Sequence, residues 1–335
     1  MKVPKTNERL FKILLWFFII IGIIGISILS YVKFFLPNVG EAPSMTIERT
    51  PERIARGQYL ANHVTNCMDC HSKRDWTRFA GASTEGTLGI GGDLFDKNFG
   101  FPGKYYAKNI TPYGLSRYTD GELFRVITTG VTKEGEAIFP VMPYHYYGQM
   151  DQEDIKSIIA YIRTLKSIEN RVPNSTSDFP MNFIINTIPH QANFTIIPAK
   201  TDIINYGKYL TNAAACVECH TKFEKGSLVA GTEFGGGREF PFPNGSIVRS
   251  SNISPDKETG LGDWTEKMFL DLFHTRSDST ILNTKLKPGD FNSMMPWTMY
   301  GKMNDEDLSA IFAYLKTVKP IKNSVVRFTS GKEGE

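Results

Sequence analysis

Hydrophobic positions follow three patterns along this 335-residue chain. Residues 13–32 form an apolar run of 20 residues without a charge, long enough as an α-helix to cross a hydrocarbon core of about 30 Å. Behind Asp151 the apolar residues recur at helical spacing, at Ile155, Ile158, Ile159, Ile162 and Leu165, and behind Asn304 they do so again at Leu308, Ile311, Phe312 and Leu315. Asp and Asn are good N-caps, so a helix is predicted to start at each. Residues 51–62 and 202–214 also read as helical. The third pattern is residues 166–200, where Phe179, Met181, Phe183, Ile184, Ile185, Ile188, Phe194, Ile196 and Ile197 are interrupted by Pro173, Pro180, Pro189 and Pro198. A flexible tether would be rich in Gly and Ser or charged, so this stretch is predicted to lie packed along its neighbours and to fix their separation.

Much of the chain repeats in order. Gly57-Gln58-Tyr59-Leu60 returns as Gly207-Lys208-Tyr209-Leu210, and Asn109-Ile110-Thr111-Pro112 as Asn252-Ile253-Ser254-Pro255. Met142-Pro143 returns as Met295-Pro296, and Tyr147-Gly148-Gln149-Met150 as Tyr300-Gly301-Lys302-Met303. The expected organisation is an amino-terminal tip and membrane anchor (1–36), one domain over 45–165, a packed linker (166–200) and a second domain over 201–325. Gly57 and Gly207 lack a side chain where another helix needs close approach, and Tyr161 and Tyr314 are candidates for the crossing contact.

Charge sets the expected topology. Lys2, Lys5, Arg9 and Lys12 precede the apolar run against a single Glu8, which predicts a cytoplasmic amino terminus and export of everything after Lys33. The run is longer than the apolar region of a cleaved signal peptide, and no A-x-A site follows it, so a retained single-pass anchor is expected. The whole chain carries +3, but the part beyond residue 36 sums to −1. That balance excludes a nucleic-acid binder.

All four cysteines lie in two copies of one motif, Cys67-Met68-Asp69-Cys70-His71 and Cys216-Val217-Glu218-Cys219-His220. C-x-x-C-H is the attachment pattern of c-type haem: the thiols add to the vinyl groups and the histidine binds iron. A thioredoxin-like pair or half of a zinc site would share the C-x-x-C, but neither copy opens a βαβ unit and His follows each at once. Two covalent haem c groups are therefore expected, through Cys67, Cys70, Cys216 and Cys219, with His71 and His220 as axial ligands. No thiol remains for a disulfide or a lipid.

Met142 lies nine residues before Asp151 and Met295 nine before Asn304, each in the loop ahead of the last helix of its half. The proline after each fixes its own φ and biases the methionine toward an extended backbone, so Met142 and Met295 are the candidate sixth ligands. Met294 competes with Met295 but has no counterpart beside Met142; Met68, Met150, Met268, Met299 and Met303 read as core filler. His63, His145, His190 and His274 have no histidine at the matching place in the other half and read as surface or satisfied residues. His145 is the exception to watch, because replacing a thioether at Met142 would lower that haem's potential.

A helix before the haem motif crossing one at the domain end resembles the plan of small cytochromes c, which implies a mainly α fold of two tandem class-I-like domains. Three further patterns, Ser251-Asn252-Ile253-Ser254-Pro255-Asp256, Thr259-Gly260-Leu261-Gly262-Asp263-Trp264-Thr265 and Met295-Pro296-Trp297, resemble the cytochrome c subunits of periplasmic membrane-bound alcohol and gluconate dehydrogenases. The resemblance runs from about Arg53 to Pro320 and includes Ala313-Tyr314-Leu315-Lys316-Thr317. It implies His71 with Met142 and His220 with Met295 as axial pairs, and passage of electrons from a dehydrogenase towards quinone or another acceptor. Those subunits typically carry three haem motifs and this chain two, which leaves the partner open. The first half also has a shorter loop, Tyr113 to Tyr118, where the second runs from Asp256 to Trp264, so unequal haems are expected.

The expected function is thus a membrane-anchored dihaem electron carrier without substrate chemistry of its own. Its redox partners would be a dehydrogenase, a quinol-oxidising complex or a terminal oxidase, with the haem domains on the periplasmic side of a bacterial inner membrane. A dihaem peroxidase would need one open or displaceable haem site, against which the matched Met-Pro loops argue. A haem sensor would need a signalling domain beyond the roughly 12 residues expected before the anchor.

Overall fold

A computed structural model describes residues 5–287 and 289–331. Among them, seven helices have nine or more residues: α1 (Lys5–Phe34), α2 (Pro51–Tyr59), α3 (Asp120–Thr129), α4 (Gln152–Ile162), α5 (Ile203–Ala213), α6 (Glu266–Arg276) and α7 (Asp305–Leu315). The chain is largely helical. α1 is apolar and unburied over Glu8–Phe34.

Beyond α1 the elements come in two matching sets. In the first half α2 packs across α4, and in the second α5 packs across α7. The crossings are close because both contact residues are glycine. A Cβ on Gly57 would lie 1.8 Å from the Ser157 carbonyl oxygen, and one on Gly207 1.9 Å from that of Ala310. Tyr161 and Tyr314 flank these contacts, their Cβ atoms 2.9 and 3.1 Å from where a glycine-to-alanine change would put the new methyl carbon. The helix starts are where the caps place them: Asp151 Oδ1 accepts from Glu153 N, and Asn304 Oδ1 from Asp307 N, both at 2.8 Å. The apolar stripes behind them, Ile155, Ile158, Ile159 and Ile162 in α4 and Leu308, Ile311, Phe312 and Leu315 in α7, are buried in one continuous core.

Two features depart from the periodicity reading. The helix expected over 51–62 is α-helical only to Tyr59 and continues as a π-turn through Leu60–Val64, closed by Thr65 N donating to Leu60 O at 2.8 Å. Each half also holds a small antiparallel sheet, Leu94–Phe95, Gly103–Tyr106 and Thr176–Ser177 in the first, Glu239–Pro241, Ile247–Arg249 and Phe328–Thr329 in the second. The third strand comes in each case from the chain after the last helix. The stretch just past α4 therefore serves the first half as the stretch past α7 serves the second.

Part of the connecting segment, residues 193–200, is tied to its neighbours, whereas Phe179, Ile184 and Ile196 are exposed. Phe194 lies against Phe124 with ring centroids 5.3 Å apart, and Asn193 N, Thr195 Oγ1 and Ile197 N donate to Gly148 O, Gln149 O and Asp151 Oδ2 at 2.8, 2.7 and 2.9 Å. Lys200 then pairs with Glu306 of α7 at 2.5 Å.

The halves meet reciprocally. Tyr59 of the first donates to Asp307 Oδ2 in α7, and Tyr209 of the second donates to Asp154 Oδ2 in α4, both at 2.6 Å. Each hydroxyl also accepts from the backbone N–H of the residue that caps the opposite last helix, Asn304 N at 3.3 Å and Asp151 N at 3.2 Å. Such exchange of equivalent contacts is the pattern of an isologous interface, here within one chain.

Candidate functional site

Each C-x-x-C-H forms one helical turn, Cys67–Cys70 and Cys216–Cys219, entered through a residue in the left-handed region, Asn66 at φ 52° and Ala215 at φ 50°. The residue before that entry is pinned by a buried tyrosine from the loop beyond the candidate methionine: Tyr147 donates to Thr65 O at 2.5 Å, and Tyr300 to Ala214 O at 2.6 Å. This explains why the Tyr-Gly-x-Met pattern repeats. It holds the start of each haem motif.

The histidines of the two motifs are fixed in the same way in both halves. His71 Nδ1 lies 2.6 Å from Lys108 O, and His220 Nδ1 2.7 Å from Ser251 O. A carbonyl only accepts, so Nδ1 carries the proton and Nε2 is left with its lone pair for a metal. Burial pushes both imidazoles down from their ordinary value, toward the neutral form that binds iron. The accepting carbonyls belong to the residues just before the repeated Asn-Ile-Thr/Ser-Pro motif. Asn109 Oδ1 accepts from Thr111 N and Oγ1 at 2.9 and 2.7 Å while its Nδ2 donates to Ile168 O at 2.9 Å. Asn252 does the same with Ser254 N and Oγ at 3.0 and 2.8 Å and with Ile321 O at 2.6 Å. The asparagine thus ties the carbonyl-bearing loop to the chain beyond the last helix.

A second pair of glycines completes this cradle. Gly91 N and Gly236 N donate to His71 O and His220 O, each at 2.8 Å. Both have φ of +70°, and a Cβ would come within 2.5 Å of the Lys108 or Ser251 carbonyl carbon. The sequence reading missed Lys108, Ser251, Gly91 and Gly236; the only signal was Gly91-Gly92 returning as Gly236-Gly237 within the repeat.

Met142 and Met295 are both half-buried against the core. Each carbonyl accepts from the backbone two residues on, Tyr144 N and Trp297 N, at 2.8 Å, so the two Met-Pro turns have the same form. Met295, together with Met294, lines a cavity of about 1660 Å³ with Cys70, Cys216, Cys219 and His220, and the cavity reaches Val141 and Pro143 on either side of Met142. Ordinary ligand pockets are about 300–1,000 Å³, so this one has room for more than one large group.

The donor set fits haem c. The four thiols are free, and burial pushes Cys70 and Cys216 up to about 12, opposite to the lowered pKa of a thioredoxin-like pair. Asn66, which lines the cavity, has Oδ1 buried with no hydrogen-bond partner among the described residues, a polar atom that a further group would satisfy.

The acidic residue inside each motif is neutralised, by different means. Asp69 is bound by Arg74 at 3.0 Å, and that guanidinium also meets Asp93 at 2.6 Å and lies 4.5 Å over the Trp76 ring. Glu218 is bound by Arg238 at 2.5 Å, whose guanidinium lies 4.2 Å over Phe223. Each acid is also touched by the residue three past the methionine of the other half. His145 Nε2 sits 3.7 Å from Glu218, and Thr298 Oγ1 3.5 Å from Asp69. His145 is thereby turned onto the second haem motif. His274 pairs with Asp305 at 2.8 Å and His190 is exposed. His63 is not satisfied: it is half-buried with Nδ1 unmatched among the described residues.

Residues 204–319 match the family model for cytochrome c. The alcohol dehydrogenase (quinone) cytochrome c subunit of Gluconacetobacter polyoxogenes is 27% identical over 305 residues, covering 87% of this chain and 61% of that subunit. The fructose dehydrogenase cytochrome subunit of Gluconobacter japonicus is 26% identical, covering 84% and 56%. A diheme cytochrome c-type protein of Cereibacter sphaeroides is 26% identical, covering 76% and 83%. The chain spans about three fifths of the length of the dehydrogenase subunits it matches. A cytochrome c domain therefore occupies residues 204–319, and the chain is a relative of the cytochrome c subunits of alcohol and fructose dehydrogenases.

Proposed function

We propose that the chain is a membrane-anchored dihaem c-type cytochrome that passes electrons between a periplasmic donor or dehydrogenase and the respiratory chain, and has no substrate chemistry of its own. The observation that carries this reading is the duplicated cradle. In both halves a proximal histidine gives Nδ1 to a carbonyl held by the same asparagine motif and keeps Nε2 free. The first half, which the family match does not cover, is on this ground a second cytochrome c domain. The likeness to a diheme cytochrome c-type protein, covering 76% of this chain and 83% of that protein, supports the count of two.

Bound haem c supplies a one-electron iron couple. Cys67 and Cys70, and Cys216 and Cys219, would attach the haem groups covalently, and His71 with Met142, and His220 with Met295, would hold their iron. The carbonyls of Lys108 and Ser251 raise the basicity of the histidines and lock their rings. Tyr59, Tyr209 and their aspartate partners hold the two sites at one separation. α1 anchors the assembly, with the haem domains on the periplasmic side of the inner membrane, facing a dehydrogenase, a quinol-oxidising complex or a terminal oxidase.

The test is haem stoichiometry by pyridine haemochrome, followed by an optical redox titration of the full chain. Two haems per chain, each showing the weak far-red band of methionine-ligated ferric haem and no change with carbon monoxide, are expected. One haem per chain would refute the dihaem reading. A haem that lacks the band and binds carbon monoxide would favour a dihaem peroxidase.

A further inference from the structure

α1 does not end clear of the rest of the chain. Val32, the last residue of the uncharged run, has its carbonyl bonded by Asn186 Nδ2 at 3.3 Å. The carboxyl end of α1 also touches the short helix Met181–Ile184 and the turn Ile185–Thr187 that continues it. With α1 across a bilayer, this contact sets a depth. Residues 179–188 lie level with the end of the apolar run, where acyl chains give way to headgroups.

The side chains at that depth suit a lipid surface. Residues 179–189 contain no Asp, Glu, Lys or Arg. Phe179 is 81% exposed and Ile184 44%, and Phe183 lies edge-on to Phe179 with ring centroids 6.5 Å apart. Phe34 and Phe35 at the end of α1 are 78% and 69% exposed, so the apolar surface of the helix continues into the segment. Eleven uncharged residues are too few to span a bilayer but suit its interface. Nor is the segment slack. Thr176–Ser177 pairs with the first half's sheet, Asp178 N donates to Pro102 O at 3.0 Å, and Asn193 N donates to Gly148 O at 2.8 Å.

We propose that residues 179–188 are a second membrane contact, with Phe179, Phe183 and Ile184 seated in the interfacial layer of the phospholipid bilayer beside α1. This rests on the reading of α1 as the anchor. A single spanning helix leaves the exported part free to rotate about the helix axis and to tilt. A second contact off that axis removes both freedoms and presents one fixed face of the haem domains to partners in or on the membrane. A protein partner could also cover an apolar patch, but continuity with α1 at the depth of Val32 places lipid there.

The test uses the full haem-loaded chain in phosphatidylethanolamine–phosphatidylglycerol liposomes. Ile184→Cys provides a thiol outside the haem motifs for the environment-sensitive fluorophore NBD. Ile21→Cys in α1 and Lys322→Cys, an exposed site in the second half, are the references. At position 184 the emission should be blue-shifted relative to position 322, shielded from iodide, and quenched more by lipids labelled near the headgroup than by lipids labelled at the chain end. If position 184 matches position 322 in emission and iodide access while position 21 reports the bilayer interior, the second contact is refuted and the anchor stands. If position 21 also reports water, the anchor reading fails and the proposal falls with it.

Discussion

Replacing Tyr209 by Phe tests whether the halves are held by the contacts that make them reciprocal. The Tyr209 hydroxyl donates to Asp154 Oδ2 at 2.6 Å and accepts from Asp151 N at 3.2 Å, and the side chain is only 6% exposed, so water does not take its place. Burial beside Asp154 pushes this phenol above its ordinary range, which keeps it a donor at any working pH. A hydrogen bond to a charged group contributes about 1.5–3 kcal/mol. Asp154 keeps two bonds to Arg56 at 2.8 Å, which argues for the lower part of that range. The expected loss is about 2 kcal/mol, roughly 30-fold in the folding equilibrium. Tyr59→Phe removes the mirror bond to Asp307, where Tyr206 remains as donor at 2.9 Å, and should cost about 1–2 kcal/mol because Tyr59 is only half-buried and water can partly compensate.

The two hydroxyls share no partner, so the double variant should lose the sum to within about 0.5 kcal/mol. The assay is urea unfolding of the detergent-solubilised full chain, followed by far-ultraviolet circular dichroism and Soret absorbance together. In the unaltered chain the two signals should fall in one transition, since the halves share a core. The double variant should unfold earlier. Single variants that each change stability by less than about 0.3 kcal/mol, well under the range for a charged hydrogen bond, would refute the argument that these tyrosines clamp the halves.

Gly207→Ala should be far more damaging than an ordinary surface change. Its Cβ would lie 1.9 Å from the Ala310 carbonyl oxygen, so α5 and α7 must separate, and the expected cost exceeds about 4 kcal/mol, read as lost yield of haem-loaded protein or a lowered melting temperature. Met142→Leu and Met295→Leu should each abolish the far-red band of one haem and lower one of two potentials, leaving the other nearly unchanged, as measured by optical titration; an unaltered band in either variant removes that methionine from the ligand set. His63 should make the fold acid-sensitive: burial, then the nearby Lys302 charge, push its imidazole down, so the unfolded chain binds the proton more readily. Stability is then complete above the unfolded value of about 6.5 and declines as pH falls below it. His63→Phe should flatten that part of the stability–pH curve.

The helical frame was legible because α4 and α7 announce themselves three times over, in the caps Asp151 and Asn304, in the apolar stripes, and in the repeat. The glycines of the crossings were legible for the same reason, once both copies were aligned. The π-turn at Leu60–Val64 was not, since one extra residue in a five-residue segment leaves the hydrophobic period unchanged. The small sheets were not either: strands of two to four residues are too short for alternation to register. At the haem motifs the sequence showed side chains but not the backbone carbonyls of Lys108 and Ser251, because a carbonyl has no residue-type signature. Only the asparagine that positions each one is visible in the sequence, and the repeat offered it without saying what it held.

Duplication accounts for the agreement between the halves, and the exceptions show where they have diverged in chemistry. A Tyr-to-Asp bond exchanged in both directions is what two identical copies would make across a two-fold axis, and each buried carboxylate has a second partner from its surroundings, Arg56 on Asp154 and Tyr206 on Asp307. The contacts made by the residues three past each methionine kept the same geometry while their chemistry drifted. Thr298 brings only a hydroxyl to Asp69, whereas His145 brings an ionisable ring to Glu218. The neutralising arginine likewise arrives from just after His71 in one half and from just after Gly236-Gly237 in the other, stacked on aromatic rings both times. Charge at the motif is therefore conserved in effect rather than in sequence position. The two C-x-x-C-H motifs have matched histidine cradles but unmatched surroundings on the acid side, so on the dihaem reading the Arg74–Asp69–Asp93 and Arg238–Glu218–His145 groups join the unequal loops 113–118 and 256–264 as sources of a difference in potential.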